Sequence, residues 1–144
     1  MNNKIGGLLI SKINFLSGRL FTKIMKSTTK PNINHAQGKI LFTLYKNNEM
    51  AINDLCTELS LSKSTLTGML DRLYLNGYIS KQTSTTDKRI TLISLTNKAI
   101  PEINIYKEAV SKMEKTYYKD FTNEEIQQFE DYLKRVYKNL EEID

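Results

Sequence analysis

The residues with the clearest capacity for chemistry are hydroxyl and basic side chains at the start of one predicted helix, which spans about 63–76. Hydroxyl and ammonium groups can contact phosphates and base edges in the major groove of DNA, and a helix N-terminus itself attracts phosphate. The candidate DNA-binding positions on this helix are Ser62, Lys63, Ser64, Thr65, Thr67, Gly68 and Arg72. The alternative interpretation is a serine-rich helix cap without a ligand.

Two of these positions have more than one interpretation. Gly68 costs a helix about 1 kcal/mol relative to alanine, which indicates a close approach of either DNA or a neighbouring helix. Arg72 could reach a phosphate or Asp87, or it could lie in solvent.

A polar loop follows, and it joins two predicted strands at 78–81 and 90–95. Asp87 precedes Arg89 by two residues near the end of this loop. Because phosphate repels a carboxylate, we expect Asp87 to orient the loop or Arg89, which could then enter the minor groove where A·T tracts concentrate negative potential. The candidate DNA-binding positions of this β-wing are Lys81, Ser84, Thr85, Asp87, Lys88 and Arg89. The alternative is an exposed ion pair in a hairpin, which stabilises little.

These side chains need a scaffold, and the segment 51–76 predicts a helix-turn-helix. A short helix at 52–59 and a tight turn at 60–62 precede the hydroxyl-rich helix, which Ser62 caps. A capping box formed by Asn34 and Gln37 predicts the helix before it. The predicted fold class is mainly α with a small β-wing, a winged helix-turn-helix core between long N- and C-terminal helices.

The long flanking helices are apolar enough to need a partner. The first spans about 5–26 and is predicted to end at Lys30-Pro31-Asn32. The last two, about 97–119 and 123–142, carry apolar residues at heptad spacing, which is typical of helices that pack side by side. Thr96 is expected to cap the earlier one, with a kink or a delayed start at Pro101.

Three such helices favour a homodimer over an intramolecular bundle, which is the alternative. The predicted domains are an N-terminal dimerisation helix at 1–33, a winged helix-turn-helix DNA-binding domain at 34–96, and C-terminal dimerisation helices at 97–144.

Charge distribution is compatible with duplex DNA as the partner. The 144 residues carry a net charge of +5. Residues 1–30 hold six basic side chains and no acid, whereas residues 122–144 hold seven acidic and three basic side chains. A modest basic excess permits nucleic-acid binding without proving it.

Rare residues limit the other function classes. One cysteine, Cys56, cannot form an internal disulfide, so we expect a reducing compartment, the cytoplasm, and an inert core thiol. One histidine, His35, cannot supply a metal site, and we predict no cofactor, no metal and no enzymatic activity. No apolar run is long enough to cross a membrane. A winged helix that binds protein or RNA stays open as an alternative.

The order of the predicted elements resembles the MarR (multiple antibiotic resistance regulator) family over nearly the whole chain, and the stretch at 55–96 carries the resemblance. The residues that carry the resemblance are Asp71-Arg72-Leu73, Asn76-Gly77-Tyr78-Ile79, Asp87-Lys88-Arg89 and Leu95-Thr96. The resemblance departs in two places: Ala99 and Pro101 stand where the family often has glycine, and no cysteine lies near the start of the first helix, which disfavours thiol-based sensing.

The resemblance implies a homodimer held by the N- and C-terminal helices, with the helix that starts near Ser62 in the major groove. It places the family's wing Asp-x-Arg motif on Asp87 and Arg89. It also implies a transcription regulator, usually a repressor. Many family members release DNA when a small aromatic or phenolic effector binds between the dimer helices and the winged domain. Two equivalent helices predict a pseudo-palindromic operator. A regulator without any effector is the alternative.

Overall fold

Helices and one small sheet make up the described chain, residues 3–27 and 33–143 of a computed structural model. The elements in chain order are α1 (Gly6–Ser27), α2 (His35–Asn47), β1 (Glu49–Ala51), α3 (Ile52–Leu59), α4 (Lys63–Leu75), β2 (Ile79–Thr83), β3 (Thr91–Leu95), α5 (Ile100–Tyr117) and α6 (Asn123–Glu141). This confirms the mainly α class with a β-wing. The predicted end of the first helix at Lys30-Pro31-Asn32 lies outside the described residues. The chain forms two compact units, residues 1–111 and 112–144.

The predicted capping box at the start of α2 is confirmed. The Gln37 amide donates to Asn34 Oδ1 at 2.9 Å, and the Asn34 amide donates to Gln37 Oε1 at 3.0 Å. The two bonds satisfy amides that an isolated helix N-terminus leaves without partners.

One apolar core in the first unit supports the helix-turn-helix. Its fully buried side chains include Ile40, Leu41, Leu44, Leu55, Leu66, Leu70, Leu73 and Ile93. They come from α2, α3, α4 and β3, so the burial of one face of α4 leaves its other face in solvent. Cys56 is partly buried against this core, as predicted.

The sheet is antiparallel, with strand order β1-β3-β2. The strand β1 was missed from the sequence, where the segment after α2 was treated only as a helix end. Three residues are too few to show an alternating pattern, and β1 exists because Met50 pairs with Ile93 of β3. The strand β2 also begins one residue later and ends two residues later than predicted, through the pairing of Thr83 with Thr91.

The connection into α5 differs from the prediction that Thr96 caps a helix. The Thr96 side chain makes no cap hydrogen bond. Its hydroxyl donates instead to the Gly77 carbonyl at 2.6 Å, just beyond the end of α4. A 3-10 turn at Asn97–Ala99 precedes α5, which confirms the delayed start expected near Pro101.

A close contact joins α2 to α5 in the first unit. The Tyr106 ring covers Gly38, and a Cβ atom at Gly38 would lie 2.9 Å from Tyr106 Cε1 and closer still to Cδ1. Ile103 and Tyr106 of α5 are both buried. These two residues of its apolar heptad pattern therefore pack within their own chain.

The helix α1 leaves a wide apolar surface exposed. Phe21 and Met25 in its last turns are buried. The apolar side chains of its first turns are between 44 % and 64 % exposed: Leu8, Leu9, Ile10, Ile13, Phe15 and Leu16. No helix within residues 3–27 and 33–143 is both long and apolar enough to cross a membrane.

The second unit contains α6, which opens with a capping box of Thr122 and Glu125. The Tyr118 hydroxyl donates to Glu130 Oε2 at 2.7 Å, and this bond raises the pKa of Tyr118 to about 12. Apolar residues of α6 at heptad positions are exposed: Phe129, Leu133, Val136 and Leu140.

Candidate nucleic-acid interface

The start of α4 is organised by hydroxyl groups. Ser60 takes the left-handed conformation with φ 54°, and the Leu61 amide donates to the Cys56 carbonyl at 3.0 Å, which closes the turn after α3. Ser62 then caps α4: its Oγ accepts the Thr65 amide at 3.3 Å and donates to Thr65 Oγ1 at 2.9 Å. The predicted cap is therefore confirmed.

The exposed face of α4 carries the predicted candidate positions. Leu66, Leu70 and Leu73 are buried on the opposite face. The exposed candidates are Ser62, Lys63, Ser64, Thr65, Thr67, Gly68 and Arg72. A small-residue surface of this kind allows another molecule to come close to the helix backbone.

Gly68 lies in the middle of this face. A Cβ atom there would meet no atom of the described chain within 4 Å. Packing against a neighbouring helix of the same chain therefore does not explain this glycine, and the first alternative considered above, a close approach of DNA, is retained.

The wing turn places Asp87 and Arg89 side by side. Asp87 Oδ1 accepts the Arg89 amide at 3.0 Å and Nε at 3.1 Å, and Oδ2 accepts Nη2 at 3.1 Å. The hydrogen bonds from Arg89 hold the pKa of Asp87 below its usual value. The Arg89 side chain is 90 % exposed. Asp87 thus orients the Arg89 side chain, as expected. The carboxylate of Asp87 pairs with Arg89 and not with Arg72.

Ser84 is not exposed, although a side chain that contacts DNA is expected to be. It is buried, and its hydroxyl accepts the amides of Thr86 and Asp87 at 3.3 Å each. These bonds shape the turn that presents Asp87. The other predicted wing positions in this turn, Thr85 and Lys88, are exposed.

Lys81 bridges β2 and α4. Its Nζ donates to Asp71 Oδ1 at 2.8 Å and lies 5.0 Å from the centre of the Tyr74 ring. Sequence reasoning identified Lys81 as a candidate but missed Asp71 and Tyr74. The only signal in the sequence was one pair of opposite charges ten residues apart, which by itself does not predict a contact.

The end of α4 is held by residues that sequence reasoning also missed. Lys98 Nζ donates to the Asn76 carbonyl at 2.6 Å and lies 5.0 Å from the centre of the Tyr78 ring. An ammonium group at a helix C-terminus is favourable because the last carbonyls lack partners within the helix. Gly77 has φ 81°, the left-handed conformation that glycine adopts readily at the end of a helix.

Charge on this surface is positive after pairing is considered. Residues 60–90 contain five basic and two acidic side chains, a net charge of +3. Both acids form ion pairs, Asp71 with Lys81 and Asp87 with Arg89. The exposed cations outside these pairs are Lys63, Arg72 and Lys88. The surface can attract phosphate through these groups.

His35 has no catalytic or metal-binding environment in the described residues. Its ring lies 4.2 Å from the Phe21 ring centre, and burial followed by the charge of Lys39 lowers its pKa. No group of three His, Cys, Asp or Glu side chains that could hold a metal ion occurs in residues 3–27 and 33–143.

Comparisons with known proteins agree with this geometry. The model of the MarR family matches residues 33–91. A crystal structure of mutant MarR from E. coli, complexed with operator DNA, is 27 % identical, with a TM-score of 0.76 over 90 % of this chain and 91 % of the other.

Two curated relatives are also similar. The repressor IacR of Pseudomonas putida is 23 % identical over 88 % of this chain and 75 % of its own length. The organic hydroperoxide resistance transcriptional regulator of Bacillus subtilis is 35 % identical over 57 % of this chain and 56 % of its own length. These relatives are regulators, in agreement with the expectation that the chain is not an enzyme. The family match over residues 33–91 and the structural similarity over 90 % of the chain show that this chain is similar to MarR-family transcription regulators in its winged-helix segment and in its fold.

Proposed function

We propose that this chain is a homodimeric repressor that inserts α4 of each copy into the major groove of a pseudo-palindromic operator. The exposed face of α4 is the observation that carries the proposal. It combines hydroxyl groups, open space at the Cβ position of Gly68, and exposed cations at Lys63 and Arg72. These groups suit both close approach to base edges and contact with phosphates. The similarity of the chain to an operator-bound E. coli MarR and to a P. putida repressor supports the same assignment.

The wing completes the proposed interface. Arg89 projects from the turn with its guanidinium already oriented by Asp87, and one terminal nitrogen, Nη1, is not used by that pair. A preoriented guanidinium suits a narrow minor groove because its electrostatic potential is strongly negative. Thr85 and Lys88 flank this position, and we assign them to the sugar-phosphate backbone, whereas Ser84 maintains the turn.

Dimerisation is assigned to the flanking helices. An exposed apolar surface as wide as that of α1 is typical of an interface, and the heptad positions of α6 are exposed as well. Residues 1–30 carry six basic side chains and no acidic one, whereas residues 122–144 carry seven acidic and three basic side chains. We therefore propose that residues 1–33 and 97–144 supply the dimer contacts and that opposite charges favour pairing between copies.

The operator geometry tests this proposal. Two equivalent α4 helices must enter successive major grooves, so half-sites should lie about one helical turn, roughly 10 base pairs, apart. We expect tight binding to the chain's own promoter region and weak binding to a scrambled duplex. Moving one half-site by about half a turn should reduce the affinity to that of the scrambled duplex.

Gel-shift titration and sedimentation of the complex would measure affinity and stoichiometry. Affinity that ignores half-site spacing would contradict the proposed geometry. Equal weak binding to every duplex, with little response to salt, would favour a protein partner instead.

A small cavity in the first unit supports release by an aromatic carboxylate as a second element of the function. Its volume is about 370 Å³, within the range of small-molecule sites. Its lining combines apolar side chains with one cation: Phe21, Thr22, Met25, Lys26, Ile33, Asn34, His35 and Gln37. Lys26 is the cation of this lining, and burial, followed by the charge of Lys39, lowers the pKa of the His35 imidazole.

Calorimetry with benzoate would test this assignment, with phenol as the uncharged comparison. We expect benzoate to bind more tightly and to weaken operator binding, and Lys26→Met to remove the preference for benzoate. Operator binding that is indifferent to both compounds, without heat of binding, would contradict the effector site while leaving the DNA-binding function intact.

A further inference from the structure

The ion pair between Asp71 and Lys81 lies at the junction of α4 with the wing. Lys81 Nζ is 2.8 Å from Asp71 Oδ1, and the side chains are 29 % and 57 % exposed respectively. Asp71 and Tyr74 are three residues apart on α4 and therefore lie on neighbouring positions of its surface. Lys81 Nζ also lies over the Tyr74 ring, 5.0 Å from the ring centre.

This pairing changes what Lys81 can contribute to DNA binding. Neutralisation of a phosphate by a free cation releases condensed counterions from DNA, which is the main source of sequence-independent affinity. An ammonium group that is already paired with a carboxylate brings no net charge to the duplex. The carboxylate also faces outward three residues after Gly68, so it adds a repulsive charge beside the surface proposed to meet the bases.

The second ion pair of the interface has a different geometry. Asp87 and Arg89 are two residues apart within one turn, and the Arg89 side chain is 90 % exposed. Its guanidinium retains Nη1 for another partner. Lys81 lies between β2 and α4, and most of its side chain is buried. The pair with Asp71 therefore keeps its ammonium group away from DNA, whereas the pair with Asp87 leaves the Arg89 guanidinium accessible to DNA.

Resting on the proposed function, we infer that Asp71 limits sequence-independent affinity: it lowers the affinity for DNA of any sequence by holding Lys81 and by repelling phosphate. Operator binding includes base contacts by the α4 surface, whereas binding to other sequences depends almost wholly on charge. The penalty from Asp71 is therefore a larger share of the weaker, sequence-independent binding energy, which limits how strongly the dimer is held on non-operator DNA.

The test compares Asp71→Asn, Lys81→Met and the double variant with the wild-type dimer. The probes are a promoter duplex and a mixed-sequence duplex about three helical turns long. Glu49→Gln is the matched control because Glu49 is exposed in β1, outside the candidate interface and outside the proposed dimerisation segments, and its substitution changes the net charge equally. An exposed ion pair contributes little to folding stability, so the variants should remain folded.

We expect Asp71→Asn to bind the mixed-sequence duplex more tightly, with the slope of log K against log salt steeper by about 0.9. Its affinity loss between 50 mM and 200 mM salt should therefore exceed that of the wild type by roughly threefold. Lys81→Met should keep the wild-type slope, and the double variant should lose the extra 0.9 that Asp71→Asn gains.

Two results would overturn the inference while leaving DNA binding in place. One is an unchanged slope in Asp71→Asn, or a change no larger than in Glu49→Gln. The other is a slope reduced by about 0.9 in Lys81→Met, which would place Lys81 on a phosphate in the wild type. A wild-type protein that binds neither duplex would instead overturn the proposed function, and the role of Asp71 with it.

Discussion

Replacement of Gly38 by alanine should lower the free energy of unfolding by about 1–3 kcal/mol, the usual cost of forcing extra volume into a packed site. The new methyl group would lie 2.9 Å from Tyr106 Cε1. The ring cannot swing aside easily because it packs against Phe21 and Phe42, with centroid distances of 5.5 Å and 5.8 Å. This clash must also outweigh the gain of about 1 kcal/mol that alanine gives a helix over glycine.

Urea unfolding of the full chain would measure the effect. Gly68→Ala is the matched control, since it is the same substitution within a helix but its new Cβ meets nothing within 4 Å. We expect the control to be as stable as the wild type or more stable. If Gly38→Ala and Gly68→Ala were equally stable, α2 and α5 would not be packed through Tyr106 as described.

Replacement of Arg89 by alanine should weaken operator binding by about 1–3 kcal/mol, which corresponds to roughly 5- to 150-fold. The expected loss is large because Asp87 holds the guanidinium in place before DNA arrives, so little side-chain entropy is lost on binding. The dimer should be unaffected, since Arg89 is 90 % exposed in the wing.

Two further variants sharpen this measurement. Arg89→Lys keeps the charge without the planar fork, so we expect it to retain the wild-type salt dependence but to lose most of the sequence preference. Lys39→Ala removes an exposed cation from α2, outside the candidate interface and the proposed dimerisation segments, and should leave the affinity almost unchanged. Operator affinity of Arg89→Ala within twofold of the Lys39→Ala value would remove the wing arginine from the proposed interface.

Local sequence patterns were sufficient for most of the elements in this chain. The capping side chains Asn34 and Ser62 mark helix starts through contacts made within four residues, and both are confirmed. The buried face of α4 follows from helical spacing alone, because residues three and four apart share a face. The orienting role of Asp87 could also be predicted, since its partner is only two residues away.

Interactions between distant residues were not visible in the same way. The strand β1 depends on its partner β3, more than 40 residues later in the chain. Thr96 has the type and position of a helix cap, yet its hydroxyl reaches back to Gly77, 19 residues earlier. Local propensity cannot anticipate such contacts because they depend on how the chain folds back on itself.

The amino-acid sequence by itself therefore determined the order of the helices, the exposed hydroxyl-rich face of α4 and the Asp87–Arg89 pair, since each depends on neighbours within one or two helical turns. Only the tertiary structure decided which cations are available to DNA. In the folded chain, Lys81 is paired with Asp71, and Ser84 is buried inside the wing turn. The physical reason is that a charge or hydroxyl can bind a ligand only after its contacts within the folded chain are satisfied, and those contacts join residues that the sequence separates.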